Sequence, residues 1–294
     1  MDIKWLKTFI IAAKFENFRK ASEELFLTQP AITKHIQRLE EHLNIQLFER
    51  KGKAVRLTPA GYQFLSYANE LVSTYQQGME GFESWKQGYQ RKLIIAAAPQ
   101  IASSFLPALL RAFIDENNEI EVFINVMKSF EIGAEVSAGR ADLGLSRVQP
   151  LQTGLQIEKI HEEPVILVGA SMQKNRIESE VLSNNRLITH NHPDYWDALL
   201  NEVKKHYPTV RTMAVNQAEV TKKFIEHGLG VSYLPVSMVR EEIANHSLSV
   251  IPPEKIFTPS SATYVLTKVE TQEVNEFIDF LKPALNELVS VSWH

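Results

Sequence analysis

The sequence predicts a small helical head carrying a two-stranded wing, then one long helix, then a larger α/β body. Three observations lead there. Up to Thr58 the apolar residues recur at three- and four-residue steps, and beyond Pro59 one apolar row continues without a proline to about Gln87. After Arg91 short apolar runs alternate with helical patterns, the rhythm of α/β units. Charge divides along the same line: residues 1–58 hold eleven Lys and Arg against seven Asp and Glu, so a head of +4 within a total of −4 leaves −8 for the rest. A basic head on an acidic body implies a polyanionic partner for the head alone.

The elements follow in order. Leu6, Phe9, Ile10 and Ala13 share one face of a first helix over Lys4 to Asn17, and Phe18, Ala21 and Leu25 one face of a second. Thr28 is a candidate N-cap, its side chain accepting from an orphan amide, and Pro30 is tolerated in the first turn that follows. On this third helix Ile32, Ile36 and Leu39 point one way, leaving Gln29, Thr33, Lys34, Gln37 and Arg38 on the other faces. Leu47-Phe48 and Val55-Arg56-Leu57 flank Lys51-Gly52-Lys53 as two strands joined by a basic loop, a wing. Thr58-Pro59 starts the long helix. Its row Phe64, Ala68, Leu71, Tyr75, Gly78 and Phe82 needs a partner, either a second chain or a surface of the same one, and Gly78, Gly81 and Gly88 mark where the helix gives way to a linker. In the body, strands are expected at Leu93–Ala98, Glu121–Met127, Ala141–Leu145, Pro164–Val168, Arg186–Thr189 and Thr212–Val215. Helices are expected at Ile101–Asn117, Trp196–His206 and Ala218–His227, giving a largely parallel sheet.

The chain is long enough for a small domain plus a larger one, and its 44% apolar and 22% charged content is that of a globular protein. No run approaches the roughly 18 uncharged apolar residues of a membrane span, and Lys4, Lys7 and Lys14 interrupt the first stretch where a signal peptide would be apolar. A cytoplasmic protein without a membrane partner is expected. With no cysteine, a disulfide framework, a thiolate zinc site and a thiol nucleophile are excluded.

The strongest motif is an ordered set: Phe18-Arg19-Lys20-Ala21-Ser22, Thr28-Gln29-Pro30-Ala31-Ile32-Thr33, Leu39-Glu40, Leu47-Phe48-Glu49-Arg50 and Leu57-Thr58-Pro59-Ala60-Gly61. It has the form of a helix-turn-helix, whose second helix lies in the major groove of double-stranded DNA while the first crosses the backbone. On that geometry Gln29 and Thr33 are candidates for base contact and Lys34 and Arg38 for guanine or phosphate. Arg50 and Lys53 are candidates for phosphates beside the wing, and Arg19, Thr28, Pro30 and Gln37 complete the DNA-facing set.

These motifs resemble the winged helix-turn-helix and linker helix of the LysR-type transcriptional regulators. Leu106-Pro107, Ala141-Asp142-Leu143, Gly228-Leu229-Gly230-Val231 and Leu234-Pro235 occur in that family's order, so the resemblance spans essentially the whole chain. It implies a winged helix-turn-helix over 1–58, a linker and dimerisation helix over 59–90 with Phe64, Ala68, Leu71, Tyr75 and Phe82 at the seam, and an effector-binding α/β domain over 91–294. That domain would hold two subdomains, about 91–161 with 266–294 and about 162–265, joined by two crossing strands and similar to periplasmic binding proteins. A small-molecule effector would sit between them, lined by Ala98, Pro99, Gln100, Ile101 and Ser103, then Ser129, then Asn216. Many members carry serine or threonine where Ala98, Pro99 and Gln100 stand, and Pro99 has no amide to donate to an anion. Arg147 is either a cation for an acidic effector or a surface arginine. The resemblance further implies a homodimer or homotetramer on an interrupted palindrome, with RNA polymerase as a partner of the complex.

Other classes fare worse. His190-Asn191-His192 lacks carboxylate or thiol support and reads as a loop, not a metal site. Gly228-Leu229-Gly230 follows a helix and lacks a third glycine, so it is a helix stop rather than a dinucleotide fingerprint. Neither a nucleophile elbow nor a glycine-rich phosphate loop occurs, so no enzyme and no cofactor are expected. The rival is a solute-binding receptor that does not read DNA.

Overall fold

A computed structural model describes residues 1–51, 54–173 and 176–290, and the chain divides between Gly88 and Tyr89 into two units. In the first, Asp2 accepts from the Lys4 amide at 2.8 Å and so caps α1 (Ile3–Phe15), which turns Leu6, Phe9, Ala12 and Ala13 inward. Asn17 does the same for α2 (Phe18–Glu24), accepting from the amides of Arg19 and Lys20. Helix α3 (Gln29–Leu43) buries Ile32, Ile36 and Leu39. The wing follows as antiparallel β1 (Phe48–Lys51) and β2 (Ala54–Leu57). Phe48 seals the core edge-on to Phe9 and Phe18, at 5.6 and 5.3 Å between ring centres.

Thr58 caps α4 (Pro59–Lys86): its hydroxyl accepts from the Gly61 amide at 3.0 Å and donates to the Gln46 carbonyl at 2.8 Å. Gly61 packs so closely on the wing's entry that a Cβ there would lie 2.2 Å from the Leu47 carbonyl oxygen. The helix gives way at Gly88, which takes φ 98 just past the C-cap Gln87, as expected, but not at the two earlier glycines. It runs through Gly78 and Gly81 to Lys86, because a glycine costs about 1 kcal/mol against alanine and does not block the backbone ladder. The expected seam splits in two. Phe64 and Ala68 pack into the head's own core, with Phe64 5.5 Å from Phe9, whereas Leu71, Tyr75 and Phe82 are exposed on the chain.

In the second unit β3 (Arg91–Ala97) pairs in parallel with β4 (Ile120–Val126) and β5 (Leu143–Ser146). The single helix expected over 101–117 is two, α5 (Pro99–Ala102) and α6 (Leu106–Glu116). Pro107 explains the break, since it has no amide for the Ser103 carbonyl and its ring crowds that carbonyl. After α7 (Ser129–Ser137) the chain crosses into a second half on the long strand β6 (Gln156–Ala170), which begins eight residues before the expected strand. There it forms α8 (Glu178–Asn184), β7 (Arg186–Thr189), α9 (Trp196–His206), β8 (Arg211–Ala214), α10 (Ala218–Glu226), β9 (Ser232–Pro235), α11 (Val236–Ala244) and β10 (Leu248–Ile251). It returns on β11 (Ser260–Thr267) and ends in α12 (Gln272–Ser290).

The main sheet runs β10-β6-β11-β5-β3-β4, with β9 also on β6, and is mixed rather than largely parallel. The crossings account for this. Strands β6 and β11 traverse the two halves in opposite senses and pair antiparallel, and each carries that sense to its neighbours. Strands β7 and β8 form a separate parallel pair. The first half buries Leu93, Ile95, Phe113, Leu143 and, from the returning chain, Leu266, Phe277 and Leu281. The second half builds cores on both sides of its strands, one around Trp196 and Tyr233 and the other around Ile188, Ile225 and Leu234.

Candidate nucleic-acid interface and effector cleft

The turn between α2 and α3 presents the start of α3 outward. Phe26 takes φ 53 there, the left-handed region, with its ring 95% exposed. Thr28 is the N-cap of α3 by backbone conformation, but its side chain makes no capping bond, contrary to the expectation from sequence. Gln29, Pro30, Thr33, Lys34 and Gln37 line one shallow concave face, and Thr33 Oγ1 donates to the Gln29 carbonyl at 3.1 Å. Arg38 stands apart with its guanidinium 5.9 Å over the Trp5 ring, and Arg19 pairs with Glu23 at 3.4 Å on exposed α2. Arg50 lies on β1 opposite Val55, whereas Lys53 falls outside the described residues.

Two residues that set this geometry were not singled out for it from sequence. His35 Nδ1 shares a hydrogen bond with Thr8 Oγ1 at 2.9 Å, tying α3 to α1. Glu40 Oε1 accepts from the amides of Leu47 and Phe48 at 2.8 and 3.0 Å, which fixes where the wing leaves α3. The Leu39-Glu40 motif is thus one core residue and one anchor for the wing.

In the body, a cleft of about 420 Å³ opens between the two halves. Pro99, Gln100 and Ser103 of α5 and its exit line one side with Lys128 and Glu131 at the start of α7, and Gln217, Ala218 and Glu219 at the start of α10 line the other. The candidate residues divide accordingly. Ala98 and Ile101 turn their side chains into the first core, fully buried, while Asn216 is exposed beside Gln217. Ser129 is buried under the cleft, its Oγ accepting from the Arg147 amide at 3.2 Å. Gln100 reaches across: its Nε2 donates to the Asn191 carbonyl at 3.0 Å. Asn191 is itself held by Trp196 Nε1 and by Ser232 Oγ, each at 2.9 Å. The His190-Asn191-His192 loop is therefore part of the second half's face toward the first, a role its sequence does not signal.

Arg147 is not a surface arginine. It has 0% exposure and forms an ion pair at 2.9 Å with Glu163, itself 4% exposed. Its Nη1 also donates to Thr263 Oγ1 at 3.1 Å and Ser261 Oγ at 3.4 Å, and Nη2 to Ser237 Oγ at 3.3 Å. Glu163 in turn accepts from the Ser237 amide at 2.6 Å and hydroxyl at 2.7 Å. One buried pair thus joins the end of β5, both crossing strands and the start of α11. Arg147 Nε is buried with no hydrogen-bond partner among the described residues. Beside it His192 Nε2 lies 3.0 Å from Ser261 Oγ, and burial, helped by the charge of Arg147, pushes the His192 pKa down to about 3, so the ring is neutral. Among the described residues no cluster of His, Asp and Glu has the makings of a metal site.

Known proteins fit both units. Residues 3–62 match the family model of bacterial regulatory helix-turn-helix proteins of the lysR family, and residues 86–286 match the LysR substrate binding domain. The transcriptional regulator CitR of Bacillus subtilis is 41% identical over 286 residues, covering 96% of this chain and 98% of CitR. The regulator YxjO of the same organism is 38% identical over 278 residues, covering 94% and 96%. Among solved structures, full-length CbnR complexed with its target DNA superimposes with a TM-score of 0.66 at 22% identity, covering 97% of this chain and all of that one. Vibrio fischeri DarR in complex with DNA gives 0.65 at 22%, covering 97% and 99%. The chain belongs to the LysR family: it is a DNA-binding transcription regulator with a helix-turn-helix head and an effector-binding body.

Proposed function

We propose that two copies pair through the exposed row of α4, set two α3 helices on the half-sites of an interrupted palindrome, and respond to an organic acid held in the body cleft. The observation that carries the reading is that row itself. Leu71, Tyr75, Met79, Phe82 and Trp85 are 44–66% exposed along one helix, apolar surface that a second copy would cover. Two-fold symmetry in the protein is then mirrored in the operator. Gln29 and Thr33 read base edges, Lys34 and Arg38 take guanine or phosphate, and Arg19, Arg50 and Lys53 take phosphates, with Thr28, Pro30 and Gln37 against the groove.

The starts of α7 and α10 face the cleft from its two sides, and Lys128 adds a cation. Helix N-termini carry partial positive charge and unbonded amides, which favours a carboxylate. Gln100, Ser103 and Asn216 contact the acid from the rim, and Ser129 and Arg147 act from beneath, through the backbone that they hold. The effector works by binding one arrangement of the subdomains better than the other, since equal affinity for both would shift nothing. Bodies pair further into a tetramer, and the change is read by RNA polymerase in the cytoplasm.

The test is a pull-down of fragmented host DNA on the purified protein, at moderate salt with a competitor polyanion to suppress non-specific binding. Recovery of a few sites sharing an inverted repeat is expected. Recovery of sites without two-fold symmetry would overturn the paired reading, and recovery of nothing above background would favour a solute receptor.

A further inference from the structure

Helices α1 and α3 meet along a short ladder of side chains. Trp5 and Thr8 stand one turn apart on α1, and Arg38 and His35 stand one turn apart on α3 in the opposite sense. The first rung is the Thr8–His35 hydrogen bond at 2.9 Å, and the second is the Arg38 guanidinium over the Trp5 ring, 5.9 Å from its centre. Trp5 is half-buried and packs on the head's core, so its ring is a fixed surface. The ring face attracts and orients the guanidinium laid on it, while Arg38 itself stays exposed.

The charge of Arg38 is unspent. Among the described residues it has no carboxylate and no hydrogen-bond partner, whereas Arg19 on α2 is paired with Glu23. Lys34 stands one turn before it, a like charge at a spacing that disfavours the helix. Such an arrangement costs the free head stability and gains when an anion lies against it. Its place on the helix says which anion. The groove face of α3 is lined by Gln29, Pro30, Thr33, Lys34 and Gln37, and Arg38 lies outside it, about 100° round the helix from the centre of that row. It also lies about 14 Å along α3 from Gln29, more than the major groove's width of about 12 Å. With the N-terminal end of α3 among the bases, Arg38 meets the wall of the groove, where the phosphates run.

We propose, resting on the placement of α3 in the major groove, that Arg38 takes a backbone phosphate rather than a guanine, and that Trp5 is a positioning residue that holds the guanidinium toward it. Trp5 acts without touching DNA: a guanidinium already laid on its ring loses less side-chain freedom on binding.

The test is fluorescence anisotropy of the full-length protein between about 50 and 300 mM salt on two duplexes, one carrying an inverted repeat recovered in the pull-down and the other the same bases scrambled. Arg38→Gln should weaken binding to both by the same factor and lower the slope of log affinity against log salt by about 0.9 for each chain bound. Trp5→Leu removes no charge, so it should keep the slope while weakening both by about two- to fivefold per chain, and Trp5→Phe should recover most of that loss. In the Arg38→Gln background Trp5→Leu should cost nothing further, which a mere loss of packing in the head would not produce. An equal cost of Trp5→Leu with and without Arg38 would overturn the positioning role. A loss on Arg38→Gln confined to the repeat, with the salt slope unchanged and the same loss reproduced in the parent by 7-deazaguanine at one position, would make Arg38 a guanine reader and overturn the phosphate assignment. Because the coupling is read on the scrambled duplex too, it stands apart from base reading by Gln29 and Thr33, whose failure would show as equal affinity of the parent for the two duplexes.

Discussion

Replacing Arg147 by methionine removes one partner of the pair that joins β5, the two crossing strands and α11. Glu163 would remain 4% exposed with only the Ser237 amide and hydroxyl to satisfy it. Leaving a carboxylate buried and unpaired costs about 3 to 5 kcal/mol. In a unit of this length each kcal/mol lowers the melting temperature by about 2 to 4 °C, so the body transition should fall by roughly 6 to 20 °C. Scanning calorimetry of the full chain reads this, and the transition of the head, a separate compact unit, serves as an internal control. The reasoning also requires a reversal. In Arg147→Met with Glu163→Leu no buried charge is left, and the double variant should regain at least about 2 kcal/mol over the single one. A single variant within about 1 kcal/mol of the parent, or a double variant no more stable than the single, would refute the account of this pair as a buried, mutually dependent contact.

Other outcomes follow from the same structure. Phe26→Asn should raise the head's stability by about 1 kcal/mol in thermal melts, since the left-handed backbone there penalises a phenylalanine and suits an asparagine. Leu71→Asp with Tyr75→Asp should shift the protein toward monomer in sedimentation and lower the head's melting temperature, since both side chains are exposed on the single chain and a partner that binds only the folded head stabilises it. Thr33→Ala and Lys34→Ala should each cost about 1 to 3 kcal/mol in operator affinity by fluorescence anisotropy. Acid should destabilise the body. His192 has a pKa of about 3 when folded, against an ordinary value near 6.5, so below about pH 6.5 the unfolded chain takes up a proton that the folded one refuses. Stability is then lost as pH falls toward 3 by about 1.4 kcal/mol per unit, and His192→Gln should make that slope shallower by the same amount.

Where a signal is local, the sequence carries it. Ile32, Ile36 and Leu39 define α3 because a helix face repeats within four residues, and Thr58-Pro59 announces α4 because capping is a matter of neighbours. Strand β6 shows the opposite case. Its first half, Gln-Ile-Glu-Lys-Ile-His-Glu-Glu, is polar and charged because it crosses between the halves rather than lying in either core, so only its apolar end reads as a strand. The helix α7 and the strand β11 also lie outside the elements expected from sequence, although each carries core residues, Ile132 and Val136 in one and Val265 and Leu266 in the other. Arg147 is illegible for another reason: its burial depends on Glu163, Ser237, Ser261 and Thr263, and nothing in the spacing of those residues says that they meet. Of the residues expected around the cleft, Pro99, Gln100 and Ser103 line it, while Ala98 and Ile101, on the same short segment, serve the core.

The double crossing on β6 and β11 also imposes an order of assembly on the growing chain. The first half of the body is begun at Arg91 but lacks Leu266, Phe277 and Leu281 until the last elements have been made. The second half is contiguous in sequence between the crossings and is complete before the first can close. Domains fold as units during synthesis, so the head and then the inserted half can become native while β3, β4 and β5 wait with their apolar faces uncovered. The exposed interval is the time needed to translate the whole of the second half. In that interval the chain is most open to aggregation and most dependent on chaperones, and a slow codon or a pause upstream of Ser260 would lengthen it.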